Sequence, residues 1–485
     1  MYVKSKIARS IHLAVALGIA SASVSPLALA GDTDGALVGK TVAQTGNALS
    51  NATITIKNTE TGLTRTVTSD DSGNFRFPQL PIGTYQVTAE KNGYVEVVQD
   101  AVNVGIAGRT NINLALQEVG VERIEVTGTT ISMVDVSSNT SGIVVDSFLV
   151  QKVPVPRDVT GVALLAPGTT KGDSAFGNLP SIGGASVAEN AFFVNGLNIT
   201  DFRTGTESTE VPFEFYDTFE VKTGGYSAEF GRSTGGVINA TTKSGTNEFH
   251  FGANYYWEPE SLREYKPDTI DPATGETVLL NSRDSFDQQD LNLWASGALI
   301  EDKLFFYVMY NPHEEESEFS TSTLGTGPFT HYNDTVDDSF WGAKVDWYIA
   351  DDHRLEFTGF SDARETVRYI GQYDLDSDEA TFNAEPEYRS RGGDNYIAKY
   401  TGILTDDFSV SAMYGINKQD RTVGSALDAN PAVYYRYDST AAFVPASTFA
   451  NFTVEQGEDE REVFRVDADW FVGDHALRFG VDYEK

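Results

Sequence analysis

The sequence contains no cysteine, so no disulfide can join its parts, and stability has to come from burial and strand pairing. It has no apolar run long enough for a membrane-spanning helix, which needs about 20 residues, and a helical membrane protein is excluded. Basic side chains are scarce, 35 against 70 acidic ones, for a net charge of -35. That balance argues against nucleic acid, a polyanion bound by basic surfaces. Six scattered histidines without cysteine offer no transition-metal constellation, and no cofactor is expected.

What the chain does have is length and aromatics. Its 485 residues imply several domains. The 22 Tyr, 29 Phe and 5 Trp stand beside a negative mean hydropathy of -0.27, which suits a wall with an apolar outside and a polar inside better than one large globular core.

At the N-terminus Lys4, Lys6 and Arg9 precede an apolar run from Ile11 to Ala20, and Ala28-Leu29-Ala30 supplies a small-residue cleavage site. A secretory signal over 1–30 is expected, with the mature chain starting near Gly31. Residues 31–118 follow as a small all-β unit. Short alternating runs at Ala52–Ile56, Thr64–Val67, Gly73–Phe77, Thr84–Thr88 and Asn111–Leu116 are separated by turn clusters, which implies a β-sandwich with Phe75, Phe77, Leu80 and Tyr85 in its core. Asp71-Ser-Gly-Asn-Phe75 followed by Pro78-Gln-Leu-Pro-Ile-Gly-Thr-Tyr85 resembles the carboxypeptidase regulatory-like (prealbumin-like) module. A spacer or docking role is the default for it, with sugar binding as the alternative.

The segment 119–128 contains Ile124, Glu125, Val126, Thr127 and Gly128, an extended β-branched stretch. On chemistry alone it could add to the edge of a partner's sheet or serve as an ordinary linker strand. From 129 to 245 the composition turns mixed. Ala185–Gly196 predicts a loop, a buried strand and an Asn195-Gly196 turn, and further strands are expected at Phe215–Lys222 and Gly236–Lys243, together a small α/β globule.

From His250 the pattern changes to period two. Phe249, Phe251, Ala253, Tyr255 and Trp257 alternate with His250, Gly252, Asn254 and Tyr256. The alternation recurs at 291–299, 341–349, 408–416, 464–472 and 477–483, and it requires Lys344 and Asp346 to face inward. Short acidic turns at 301–303, 350–353, 404–407 and 472–475 alternate with long polar segments at 258–287, 312–338, 362–393 and 419–461. Short turns on one side and long loops on the other is the asymmetry of outer-membrane barrels.

The order of signal peptide, regulatory-like module, Ile124–Gly128, a globule with Phe193-Val-Asn195-Gly196, Gly224-Gly225-Tyr-Ser-Ala-Glu-Phe-Gly231 and Gly235-Gly236-Val-Ile-Asn239, then aromatic strands, resembles a TonB-dependent outer-membrane receptor of the Oar-like group. The resemblance implies a mainly β chain: the sandwich, a TonB box at Ile124–Gly128, a plug over 129–245 bearing those glycines, and a partial barrel over 246–485. It implies TonB with its inner-membrane energising complex and outer-membrane lipid as partners, a periplasmic N-terminal module, and an unidentified solute: peptide, glycan or metal chelate. A non-transporting adhesion or secretion-associated surface protein is the alternative. About nine transmembrane strands are expected against the 22 of the family, so the chain is expected to be part of a longer protein.

Three motifs promise chemistry and lack its context. Gly231-Arg-Ser-Thr-Gly235 matches a hydrolase elbow but leads into a strand instead of a helix. His313-Glu-Glu-Glu-Ser317 lacks the second histidine of a zinc site. Asp374, Asp376 and Asp378, with Glu385, have part of a calcium-loop spacing, but Glu379 replaces the turn glycine and the candidate is weak. No catalytic residue is expected. Acidic loops disfavour an anionic chelate, although Arg203 and Arg263 supply local positive charge.

Overall fold

Seven strands build the first unit of the structure, a computed structural model: β1 (Gly35–Ala43), β2 (Thr53–Asn58), β3 (Thr64–Thr68), β4 (Asn74–Leu80), β5 (Gly83–Glu90), β6 (Val97–Val104) and β7 (Arg109–Leu116). The residues described are 33–106, 108–119, 140–150, 152–153, 155–173, 179–201, 203–205, 211–231, 233–321, 329–383, 385–429, 434–435, 444–445, 455–473 and 475–485. The expected signal cleavage site at Ala28 and Ala30 and the expected TonB box at Ile124–Gly128 lie outside them. Two sheets, β4-β1-β7 and β3-β2-β5-β6, enclose a core that includes Phe75, Phe77, Leu80 and Tyr85. Tyr85 keeps its hydroxyl satisfied there by donating to the Pro81 carbonyl at 2.7 Å. Two strands are additional to the sequence reading. β1 is central, parallel to β7 and antiparallel to β4, and is covered so continuously that it shows no period of two. β6 is an edge strand with few buried residues.

The second unit holds β8 (Ser141–Asp146), β9 (Thr169–Lys171), β10 (Pro180–Ile182), β11 (Ala191–Val194), β12 (Leu197–Asn198), β13 (Tyr216–Gly224) and β14 (Val237–Thr242). Five of them form a mixed sheet, β12-β11-β14-β13-β8. β14, at its centre, is buried along its whole length. Among the described residues its α-helices are single turns, Ser147–Val150 and Val159–Ala163, the latter capped by Asp158 accepting from Gly161 N at 2.6 Å.

The rest is one large antiparallel sheet. Its strands are β15 (His250–Glu258), β18 (Ser285–Ile300), β19 (Leu304–Thr321), β20 (Phe329–Ala350), β21 (His353–Ser361), β22 (Arg364–Asp374), β23 (Glu379–Phe382), β24 (Glu387–Gly392), β25 (Asp394–Thr405), β26 (Phe408–Ser425), β29 (Glu455–Val472) and β30 (His475–Glu484). Two small hairpins, β16 (Thr269–Ile270) with β17 (Thr277–Leu279) and β27 (Tyr434–Tyr435) with β28 (Val444–Pro445), stand apart from it. β21 and β22 follow one register along β20, and β24 and β25 one register along β26, so each pair acts as a single kinked strand. The wall thus has nine strands, with β15 and β30 at its two edges.

Its outward face carries the aromatic alternation: Phe251 is 77% exposed and Val481 68%, with Tyr255, Trp257, Phe464, Trp470 and Phe479 also exposed. Lys344, Asp346, Arg465 and Asp469 are buried on the other face. An exposed apolar band of this extent needs a non-aqueous neighbour.

The expected turns join the pairs β18–β19, β20–β21, β25–β26 and β29–β30. Three of the four expected long loops are a correction, while 258–287 stays outside the wall until β18 begins at Ser285. β19 and β20 continue through Thr321 and Phe329, and β22, β24, β26 and β29 likewise extend far beyond the apolar band. There charged and aromatic side chains are mixed without a hydrophobic period, and cross-strand contacts such as Arg368–Asp334 at 2.6 Å and the stacked Phe319 and Tyr332 rings, 5.1 Å apart, add to the backbone ladder.

Candidate functional site: the seam between mixed sheet and wall

The mixed sheet sits against the inner face of the wall, and an aromatic hub joins them. Phe215 is fully buried, with ring centroids 6.0, 5.4 and 5.9 Å from Tyr307, Phe340 and Phe360 of β19, β20 and β21. The wall makes room with glycine: a Cβ on Gly342 would stand 2.5 Å from the Phe215 ring. Tyr307 Oη donates to the Glu214 carbonyl at 2.9 Å. The same apolar cluster draws Met309, Ile397, Met413 and Val463 from the wall, so the inner face is not uniformly polar as the sequence reading held.

Polar contacts surround the hub. Asn195 and Gly196 form the expected turn, both at positive φ (47° and 86°), which this two-residue geometry requires. The Asn195 amide is fully engaged: it accepts from Thr242 N at 3.0 Å and donates to Thr242 Oγ1 at 2.7 Å and, across the seam, to Thr358 Oγ1 at 3.0 Å. Arg461 of β29 donates to the carbonyls of Asn198 and Thr200 at 2.9 and 2.8 Å. Arg421 pairs with Asp201. Between β13 and β14 Glu229 accepts from Arg465 at 2.9 Å and Arg478 at 2.8 Å. Arg157 pairs with Glu214 and stacks 4.2 Å over the Tyr256 ring.

Among the expected glycines, Gly235 and Gly236 leave no space for a side chain, since a Cβ would meet Asn190 Oδ1 at 2.5 Å and Ile182 Cδ1 at 2.4 Å. Gly225 has a positive φ of 70°. Gly224 and Gly231 have open space, so neither close packing nor a positive φ dictates them. The sequence reading passed over Glu229, although it lies inside the quoted Gly224–Gly231 motif; the arginines that hold it are more than 230 residues away in sequence.

The remaining motifs fall into structural roles. Ser233 Oγ donates to the Glu189 and Gly236 carbonyls, both at 3.0 Å, and β14 follows it. His313 lies in β19 with Nδ1 2.7 Å from Asp290. Asp378 is held by Arg283 at 2.6 Å and Tyr373 at 2.7 Å, while Asp374 accepts from Asp376 N at 2.9 Å; among the described residues no cluster of three or more carboxylate or imidazole groups is placed to hold a metal ion. Arg203 is taken by Asp459 at 3.0 Å and Glu455 at 3.6 Å, and Arg263 covers the Phe286 ring at 4.2 Å.

A second seam joins the sandwich to the short-turn end of the wall. Asp34 is 2% exposed, between Arg354 at 2.5 Å and Lys399 at 3.1 Å, and Glu356 approaches the same Arg354 nitrogen at 2.9 Å. Burial raises its carboxyl, and the two cations more than reverse this, holding it well below the ordinary carboxylate range. A depressed value means the contribution is complete above the free value of about 3.9 and disappears as pH falls through the docked one. Lowering pH from 8 to 5 is therefore expected to leave the sandwich docked, checked by protease sensitivity between it and the wall; release in that interval would contradict the ion pairing.

Residues 36–117 match the carboxypeptidase regulatory-like domain family. The chain is 30% identical over 319 residues to the TonB-dependent transporter Oar of Myxococcus xanthus, an alignment covering 64% of this chain and 29% of that protein. In structure it is similar to the outer membrane transporter YddB from Escherichia coli, with a TM-score of 0.52 at 15% identity, covering 71% of this chain and 48% of that one. The chain thus spans less than a third of the first protein and about half of the second. Sandwich, seated mixed sheet and aromatic wall thus make this chain similar, over part of their length, to the Oar-like TonB-dependent transporters of the bacterial outer membrane, with a carboxypeptidase regulatory-like domain at 36–117.

Proposed function

We propose that the protein of which this chain forms at least a part captures a scarce solute, a peptide, glycan fragment or metal chelate, at its long hairpins and admits it when the plug moves. Energy reaches the plug from TonB and its inner-membrane complex, which pairs with Ile124–Gly128 as an added strand. The observation that carries this reading is the composition of the plug seam. Its ring of ion pairs and hydrogen bonds can be exchanged for water at little net cost. The Phe215 hub cannot, because exposing a buried phenylalanine costs about 2–3 kcal/mol. A plug held in this way stays shut on its own and opens under an external pull.

Replacing Val126 with proline removes a backbone donor that strand addition needs. The expected result is at least a tenfold loss in recovery of TonB's periplasmic domain with the protein, with surface exposure of the long hairpins unchanged. Undiminished recovery would remove Ile124–Gly128 from the proposal.

A further inference from the structure

The regulatory-like domain is seated in the wall, not merely tethered to it. Besides Asp34, Gln79 donates to Asp469 at 2.7 Å, Arg65 meets Asp352 at 3.2 Å, and Arg76 lies 4.6 Å over the Phe471 ring. The Glu60 carbonyl accepts from Asn247 N at 3.0 Å, and Leu63 packs with Phe305 and Tyr348. These wall partners run from the residues before β15, through the turn region of β20 and β21, to β29, so they reach across most of the nine strands. Arg354, Lys399 and Asp469 belong to the inner face, and all three are buried. The start of β1 therefore enters the mouth at the short-turn end.

Buried charges persist only when paired, so Asp34, Arg354 and Lys399 hold one another in place while the domain is docked. Undocking returns all three to water, which makes the contact reversible. From these contacts we propose that the regulatory-like domain is a latch closing the short-turn mouth, fastened by Asp34 between Arg354 and Lys399, and that a solute passing the plug leaves only after the latch releases. That a solute leaves through this mouth rests on the proposed function; the docking does not.

The absence of native cysteine makes the test clean. A Cβ on Gly62, whose φ is 75°, would stand 2.8 Å from Asp302 Cγ, so a cysteine sulfur in the place of that Cγ comes within reach of a cysteine at 62. In outer membranes the pair Gly62→Cys with Asp302→Cys is expected to oxidise nearly completely, and adding Asp34→Lys is expected to lower the yield at least fivefold. Ser409 provides an independent reporter, since it is 1% exposed, opposes Asp469, and its hydroxyl has no hydrogen-bond partner among the described residues. Ser409→Cys is expected to react with a maleimide supplied from the short-turn side at least tenfold faster when Asp34→Lys and Gln79→Lys are present. Equal cross-linking with and without Asp34→Lys, or equal labelling rates, would overturn the latch. Val126→Pro leaves the resting cross-link unchanged, so failure of the TonB box and failure of the latch give different results.

Discussion

Phe215→Ala is expected to unseat the plug while leaving the wall folded. The side chain is completely buried among Tyr307, Phe340 and Phe360, one from each of three adjacent wall strands. Truncating a phenylalanine in such a setting costs about 3–5 kcal/mol, because the transfer energy is lost and the cavity collapses only in part. At about 1.4 kcal/mol per factor of ten, the seated state loses roughly two to three orders of magnitude over the released one. Protease cleavage within the plug, measured in outer membranes with the wall intact, should accelerate accordingly. The converse substitution tests the same contact from the wall. Gly342→Leu keeps Phe215 but places carbon where its ring sits, 2.5 Å from the ideal Cβ. It should release the plug to a similar extent. A plug that stays protected in both variants is not seated on β20.

Glu229→Ala has the second largest expected effect. One plug carboxylate receives Arg465 and Arg478 from adjacent wall strands, while Asp467 and Asp469 neutralise the same arginines at 2.6 and 3.2 Å. Losing Glu229 leaves two poorly hydrated cations underpaired, at a cost of about 2–3 kcal/mol given that each retains one partner. Plug release should rise by about thirty- to a hundred-and-fiftyfold, and Glu229→Gln, which retains an acceptor, should recover part of it. A double-mutant cycle with Arg478→Met should give a coupling of about 1 kcal/mol or more. Additive effects would mean that the pair does not hold the plug.

Sequence alone revealed what alternation encodes. Wherever one strand face meets an apolar medium and the other meets polar partners, as at Phe251 to Trp257 or Phe464 to Val472, period two is visible and the short turns between strands follow from it. The signal vanishes where both faces share one environment. That is why the polar extensions of β19 and β20 read as loops, and why β1, covered on both sides, escaped notice. The Asn195-Gly196 turn was legible because its positive φ values select those residue types. Long-range partners were not: Asp34 meets Arg354 across 320 residues and Arg461 meets Asn198 across 263, and no local pattern announces either. The aromatic hub was hidden for a related reason, since Phe215 looks like any buried strand residue until three wall strands close around it.

If energy relayed by TonB opens the plug seam, a single reporter cysteine on the wall senses the opening. Thr358 is buried on the inner face of β21 and accepts from Asn195 across the seam. In the otherwise cysteine-free chain, Thr358→Cys should react with a small maleimide at least tenfold faster in energised cells than in cells treated with a protonophore, and Val126→Pro should abolish the difference. Equal labelling with and without energy would contradict the account.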